Sequence, residues 1–189
     1  MHKLAGFADG ENIVLRYQDM IRDGRMPDPG VIHVPDILAW HPRITMENLS
    51  DVGRISYYQT IAGDDTKVDE ALLKISQTGY QYMAMAGAGR VKGNGNLFPR
   101  LFKKMSKSTK TKSVDINIAV DFLRQTYSDN YQILLLVSGD SDYVPLLEEA
   151  GRQGKLIWVA AFSKGLSKHI RFAADEFFDL DQYFFQTEA

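Results

Sequence analysis

Four aspartates stand where short apolar runs give out or a helical pattern begins. Asp9 follows Leu4-Ala5-Gly6-Phe7-Ala8. Asp140 and Asp142 follow the apolar residues 133–137, within Ser138-Gly139-Asp140-Ser141-Asp142. Asp115 lies in Lys112-Ser113-Val114-Asp115 at the head of a helical pattern. Carboxylates gathered in one place repel one another, which raises their pKa values and destabilises the fold unless a cation neutralises them. Ligation through oxygen alone suits magnesium or manganese. Such an ion activates water and stabilises charge developing on a phosphate.

Each acid also has a structural role open to it. Asp140 or Ser141 would cap a following helix, and Asp142 or Asp115 in a first turn would favour the helix dipole. Capping does not require both Asp140 and Asp142, and it does not account for Asp9. Asp121 lies six positions beyond Asp115. That is an advance of about 600°, which leaves the two side chains roughly 120° apart on a helix, so Asp121 is a secondary candidate. Asn12 would orient a carboxylate, a water or a phosphate, or cap a helix. Glu11 is expected to point to solvent. Ser138 would offer its hydroxyl to a phosphate or to Asp9, or simply make a turn.

The elements around these residues decide whether they meet. Residues 4–8, 133–137 and 156–161 are continuously apolar, as buried parallel strands are. Residues 54–61 and 80–85 are weaker strand candidates, and 176–180 reads as an edge strand. Helical patterns cover 12–22, 67–78, 114–127 and 142–153. Strands alternating with helices indicate βαβ units in an α/β fold with a parallel sheet. Ligands of such sheets bind outside the carboxyl ends of the strands, where strand order reverses, so Asp9, Asp140 and Asp142 converge if their strands are neighbours. Residues 23–52 hold four prolines and read as an irregular insertion with a short helix around Asp36 to Trp40. Residues 87–113 read as a glycine-rich loop, then a basic stretch with Arg100, Lys103, Lys104, Lys107, Lys110 and Lys112. That stretch would contact phosphates or remain a solvated loop.

The whole chain, 189 residues long, suits one domain spanning 1–189. It has no cysteine, which excludes disulfides, thiolate metal sites and thiol catalysis and fits a reducing compartment, so a cytoplasmic protein is expected. A net charge of −2 argues against coating nucleic acid by bulk charge. No stretch reads as a signal peptide or membrane span. The four histidines lack metal-ligand spacing, no serine sits in a nucleophile elbow, and Lys92 is followed by glycine, unlike a P-loop.

Asp9-Gly10-Glu11-Asn12 after a strand, Lys112-Ser113-Val114-Asp115 opening a helix and Ser138-Gly139-Asp140-Ser141-Asp142 after a central strand together resemble the NYN domain, in its LabA-like branch of the PIN-like nuclease superfamily. Asp175-Glu176-Phe177-Phe178-Asp179-Leu180 resembles its closing strand. The resemblance spans residue 4 to about 180. It implies a Rossmann-like three-layer sandwich with strand order 3-2-1-4-5, a divalent-metal site and, for many members, endoribonuclease activity. Asp9, Asp115, Asp140 and Asp142 match the acidic positions, and Asn12, Ser138 and Lys112 their polar neighbours. Ser113 stands where the family commonly has glycine.

The leading expectation is thus a magnesium- or manganese-dependent ribonuclease. Its partner would be RNA rather than a membrane; the sequence does not fix its oligomeric state, and a homodimer is one option. One rival is an RNA-binding or regulatory protein that keeps the pocket and turns over poorly. A phosphatase or phosphotransfer domain with an aspartyl nucleophile fits less well, because Glu11 replaces the second aspartate of an Asp-x-Asp after the first strand.

Overall fold

The unalternating apolar runs are explained by a sheet covered on both faces. The computed structural model describes residues 2–46, 50–104 and 113–186. Strands β1 (Lys3–Asp9), β4 (Asp51–Ala62), β7 (Phe98–Lys104), β8 (Ile133–Val137), β9 (Leu156–Ala161) and β10 (Glu176–Asp179) form one sheet, in the order β10-β9-β8-β1-β4-β7. Every pairing is parallel. Numbered within this sheet alone, the strands run 3-2-1-4-5-6, one strand more than the order implied by the resemblance, and β10 takes the edge position expected of residues 176–180.

Helices α1 (Gly10–Arg22) and α2 (Asp65–Ser76) bury Ile13, Val14, Tyr17 and Ile75 against one face of the sheet, with Leu4, Ala8, Leu135 and Val137. Helices α3 (Ser113–Thr126), α4 (Val144–Arg152) and α5 (Lys168–Phe172) cover the other face. There Ile118, Phe122, Leu147 and Ile170 pack with Ala5, Phe7, Leu134 and Leu136. Side chains alternate along a strand. Because Ala5 and Phe7 face α3, Asp9 does too; because Leu134 and Leu136 face α3, so does Ser138. The last helix, α6 (Asp181–Phe184), returns Phe184 to the α1 side. Strands β1 and β8 are hydrogen-bonded neighbours, so the strand order reverses between Asp9 and Ser138.

Two expectations are corrected. In residues 23–52 the structure has no helix at Asp36 to Trp40. Strands β2 (Ile32–Val34) and β3 (Leu38–Trp40) pair there as an antiparallel hairpin. Leu38, Ala39 and Trp40 are all buried, the Ala39 amide donates to the Tyr57 hydroxyl, and Asp36 takes a left-handed φ of 61° in the tight turn. The glycine-rich segment is likewise not a loop: β5 (Gly79–Ala86) and β6 (Gly89–Asn96) form a second antiparallel hairpin. Its glycines make room for tyrosine rings. A Cβ on Gly93 would lie 2.2 Å from Tyr82 Cζ, and one on Gly95 2.5 Å from the Tyr80 hydroxyl. The following basic residues Arg100, Lys103 and Lys104 belong to β7, an edge strand, where lysine and proline are tolerated.

Candidate active site

Asp9 is the buried centre of the site, 4% exposed at the junction of β1 and α1. Its carboxylate accepts from the Asn12 amide at 3.1 Å and from the Ser138 hydroxyl at 3.1 Å. The chain turns tightly here because Gly10 has no side chain: a Cβ would meet Tyr57 Cε1 at 2.5 Å and the Tyr58 carbonyl at 2.6 Å. Asn12 in turn accepts from the Gly139 amide at 3.3 Å, tying α1 to the loop after β8. The Ser138 hydroxyl also accepts from the Asp140 amide at 3.3 Å. Burial raises the Asp9 pKa to about 7. The hydrogen bonds from Asn12 and Ser138 oppose that rise, and the charges of Asp115 and Glu11 add to it.

Tyr143 joins the acids, and nothing in the sequence pattern singled it out. Its hydroxyl lies 3.3 Å from Asp9 Oδ2 and 3.1 Å from Asp115 Oδ1. A phenol has one proton to donate, so two ionised carboxylates cannot both be satisfied by it. With Asp9 protonated the chain closes: Asp9 donates to Tyr143, and Tyr143 donates to Asp115. That arrangement agrees with the raised pKa of Asp9. Burial and the two carboxylates also push the Tyr143 pKa upward, so the phenol stays neutral. The available signal was its place directly after Asp142, where a turn into a helix would swing an aromatic hydroxyl back over the strand end.

The four aspartates therefore do not form a single cluster. Asp9 and Asp115 share Tyr143, whereas Asp140 and Asp142 are exposed. Asp140 caps the short 3-10 turn Ser141–Tyr143 by accepting from the Asp142 amide at 3.0 Å, the structural alternative open to it from sequence. Among the described residues no three histidine, aspartate or glutamate side chains gather closely enough to hold an ion. Magnesium, however, is commonly held by one or two carboxylates with water and substrate phosphate completing its shell. The all-oxygen pair of Asp9 and Asp115 fits that chemistry.

Asp121 is not part of this group. It accepts from Arg100 at 2.7 Å, Arg124 at 2.8 Å and the Tyr58 hydroxyl at 3.0 Å. Among the candidate nucleic-acid contacts, Arg100 is thus paired with Asp121, Lys103 lies 2.5 Å from Asp65, and Lys104 lies 4.0 Å from Glu11. Lys107, Lys110 and Lys112 lie outside the described residues. Glu11, Lys67 and Lys104 stand on the walls of a cleft of about 570 Å³ between α1, the β2–β3 turn and α2. Tyr57, Tyr58 and Tyr80 are buried and unavailable to stack on bases.

No curated protein matches the chain. A crystal structure of a protein of unknown function from Vibrio parahaemolyticus is similar to it, with a TM-score of 0.62 and 18% identity over 98% of this chain and 96% of that one. At that identity the likeness speaks for the fold alone. The NYN domain matches residues 3–181, nearly the whole chain. Asp9, Asn12, Asp115, Ser138, Asp140 and Asp142 all fall within that span, and the chain belongs to the NYN domain family.

Proposed function

We propose that the chain is a magnesium- or manganese-dependent endoribonuclease whose site is built on Asp9 and Asp115. The observation that carries this reading is Asp9 itself: a carboxyl group buried at the sheet's switch point, held by the Asn12 amide and the Ser138 hydroxyl and joined through Tyr143 to a second carboxylate, at the cost of a pKa near 7. Membership of a PIN-like nuclease family supports the same reaction class. A divalent ion bound there would supply Lewis-acid chemistry, making water a nucleophile at neutral pH and offsetting charge on the phosphate. Asp9 and Asp115 would hold the ion. Ser138 and the Asn12 amide fix the Asp9 carboxylate, and Tyr143 sets the spacing between the two acids. Asp140 and Asp142, exposed beside the site, would meet the substrate's side of the shell or a second ion.

One observation favours a second reading. Two acids converge, two face solvent, and the buried one favours its proton near neutrality. A site of that kind suits a protein that binds RNA and turns it over poorly. Turnover separates the two. Wild-type protein incubated with single-stranded RNA and manganese should cut it internally, stop on addition of chelator and resume when manganese is restored. RNA that is bound but left intact across magnesium and manganese would favour the binding protein.

A further inference from the structure

The α3 side of the sheet carries a second polar cavity, of about 200 Å³, between β4, β7 and α3. Arg54, Arg100 and Arg124 line it, and Asp121 is the one carboxylate among its described lining residues. Its assembly begins with a bulge in β4. Leu4 pairs with Val52 and Ala5 with Arg54, which leaves Gly53 unpaired between them. The extra residue shifts the alternation, so that Arg54, Ser56 and Tyr58 face α3 together. A Cβ on Gly53 would lie 2.6 Å from the Tyr131 ring, so the bulge and that ring require each other's shape. On the neighbouring strand Phe98 and Arg100 pair opposite Ser56 and Tyr58 and share their face.

The three guanidinium groups are held in place before any ligand arrives. Arg54 lies over the Phe98 ring, 4.4 Å from its centroid. Asp121 uses one oxygen for Arg124 and the other for Arg100 and the buried Tyr58 hydroxyl. One carboxylate thus orients two arginines while neutralising only one positive charge, and the cavity keeps a net excess of two. Guanidinium forks match the oxygens of a phosphate, and paired donors of this kind bind it more strongly than a point charge does.

We propose that this arginine cavity is a phosphate-binding site, occupied by the backbone of an RNA strand that also passes the Asp9–Asp115 site. Asp121 lies six residues along α3 from Asp115, about 9 Å of helix rise, so one strand reaches both. The choice of RNA backbone over a free phosphate rests on the function proposed above, whereas the chemistry of the cavity is the same for either.

Binding measured in chelator, where nothing is cleaved, tests the site. The probes are a labelled single-stranded oligoribonucleotide, inorganic phosphate and a nucleoside monophosphate. The proteins are wild type, the double variant Arg54→Gln/Arg124→Gln, whose changes lie on the surface, and Asp9→Asn. The double variant should bind the oligoribonucleotide at least about tenfold more weakly. Its log–log salt slope should flatten by about 0.7 for each phosphate no longer neutralised. If phosphate or the mononucleotide binds wild type but not the double variant while RNA affinity and slope stay unchanged, the phosphate site stands and its assignment to an RNA strand is overturned. If all three probes bind wild type and double variant alike, the site itself is overturned. Cleavage by Asp9→Asn is scored separately, so a failure of the nuclease reading is distinguished from a failure of this one.

Discussion

Asp9 concentrates the chemistry of this chain because its surroundings favour two protonation states for different reasons. In chelator the folded protein holds the Asp9 proton up to about pH 7, while the unfolded chain releases it near 3.8. Between those values the folded state binds the extra proton, so stability falls as pH rises through the window. Above pH 7 the whole penalty stands, about 4 kcal/mol. Asp9→Asn lacks that titration. In chelator it should be more stable than wild type at pH 8, with the gap closing toward pH 4. Urea unfolding at both values reads this directly, and a gap that does not change with pH would contradict it. Tyr143→Phe makes a second test at the same scale. Removing the hydroxyl that spaces Asp9 from Asp115 should lower metal-dependent cleavage roughly 10- to 100-fold, as loss of a partner to metal-holding groups does. KM for RNA should change little, since Tyr143 is buried. An equal rise in KM would place Tyr143 in substrate binding instead.

At the scale of elements, periodicity is a good guide wherever both faces of a strand are buried. Residues 133–137 and 156–161 lie on their predicted strands, and Asp9 stands at the end of its own. It fails where glycines and lysines hide a strand. Gly93 and Gly95 look like a loop because their missing side chains are filled by Tyr82 and Tyr80 from across the hairpin, a pairing that local composition does not display. Lys103 and Lys104 look like a solvated tract because β7 is an edge. The site divides in the same way. Asp9, Asn12 and Ser138 are legible because each ends or follows a buried strand. Tyr143 is not, because its role depends on α3 bringing Asp115 within reach; Asp121 turns away from Asp115 as the helical angle implies, and its partners Tyr58 and Arg100 come from two other elements. The tight junction of β1 and α1 yields a prediction: Gly10→Ala should destabilise the protein by about 1–3 kcal/mol, since a Cβ there meets the Tyr58 carbonyl and the Tyr57 ring. Chemical denaturation checks it, and a neutral effect would mean that the turn can open.

At the scale of the whole molecule, a six-stranded parallel sheet places its strand-order reversal between β1 and β8 and so brings together residues 129 positions apart, Asp9 and Ser138. Among the described residues no helix is long and apolar enough to cross a membrane. An ion that binds only the folded protein stabilises it by mass action, about 2.7 kcal/mol at a hundredfold excess over Kd. Magnesium or manganese should therefore raise the Tm of wild type and have much less effect on Asp9→Asn and Asp115→Asn. The most direct test of the central claim is cleavage of single-stranded RNA by wild type, Asp9→Asn and Asp115→Asn, prepared identically and assayed in manganese. Wild type alone should make internal cuts, with RNA still bound by both variants. Equal cutting by all three, as a contaminating ribonuclease would give, or cutting that persists in chelator, would contradict it.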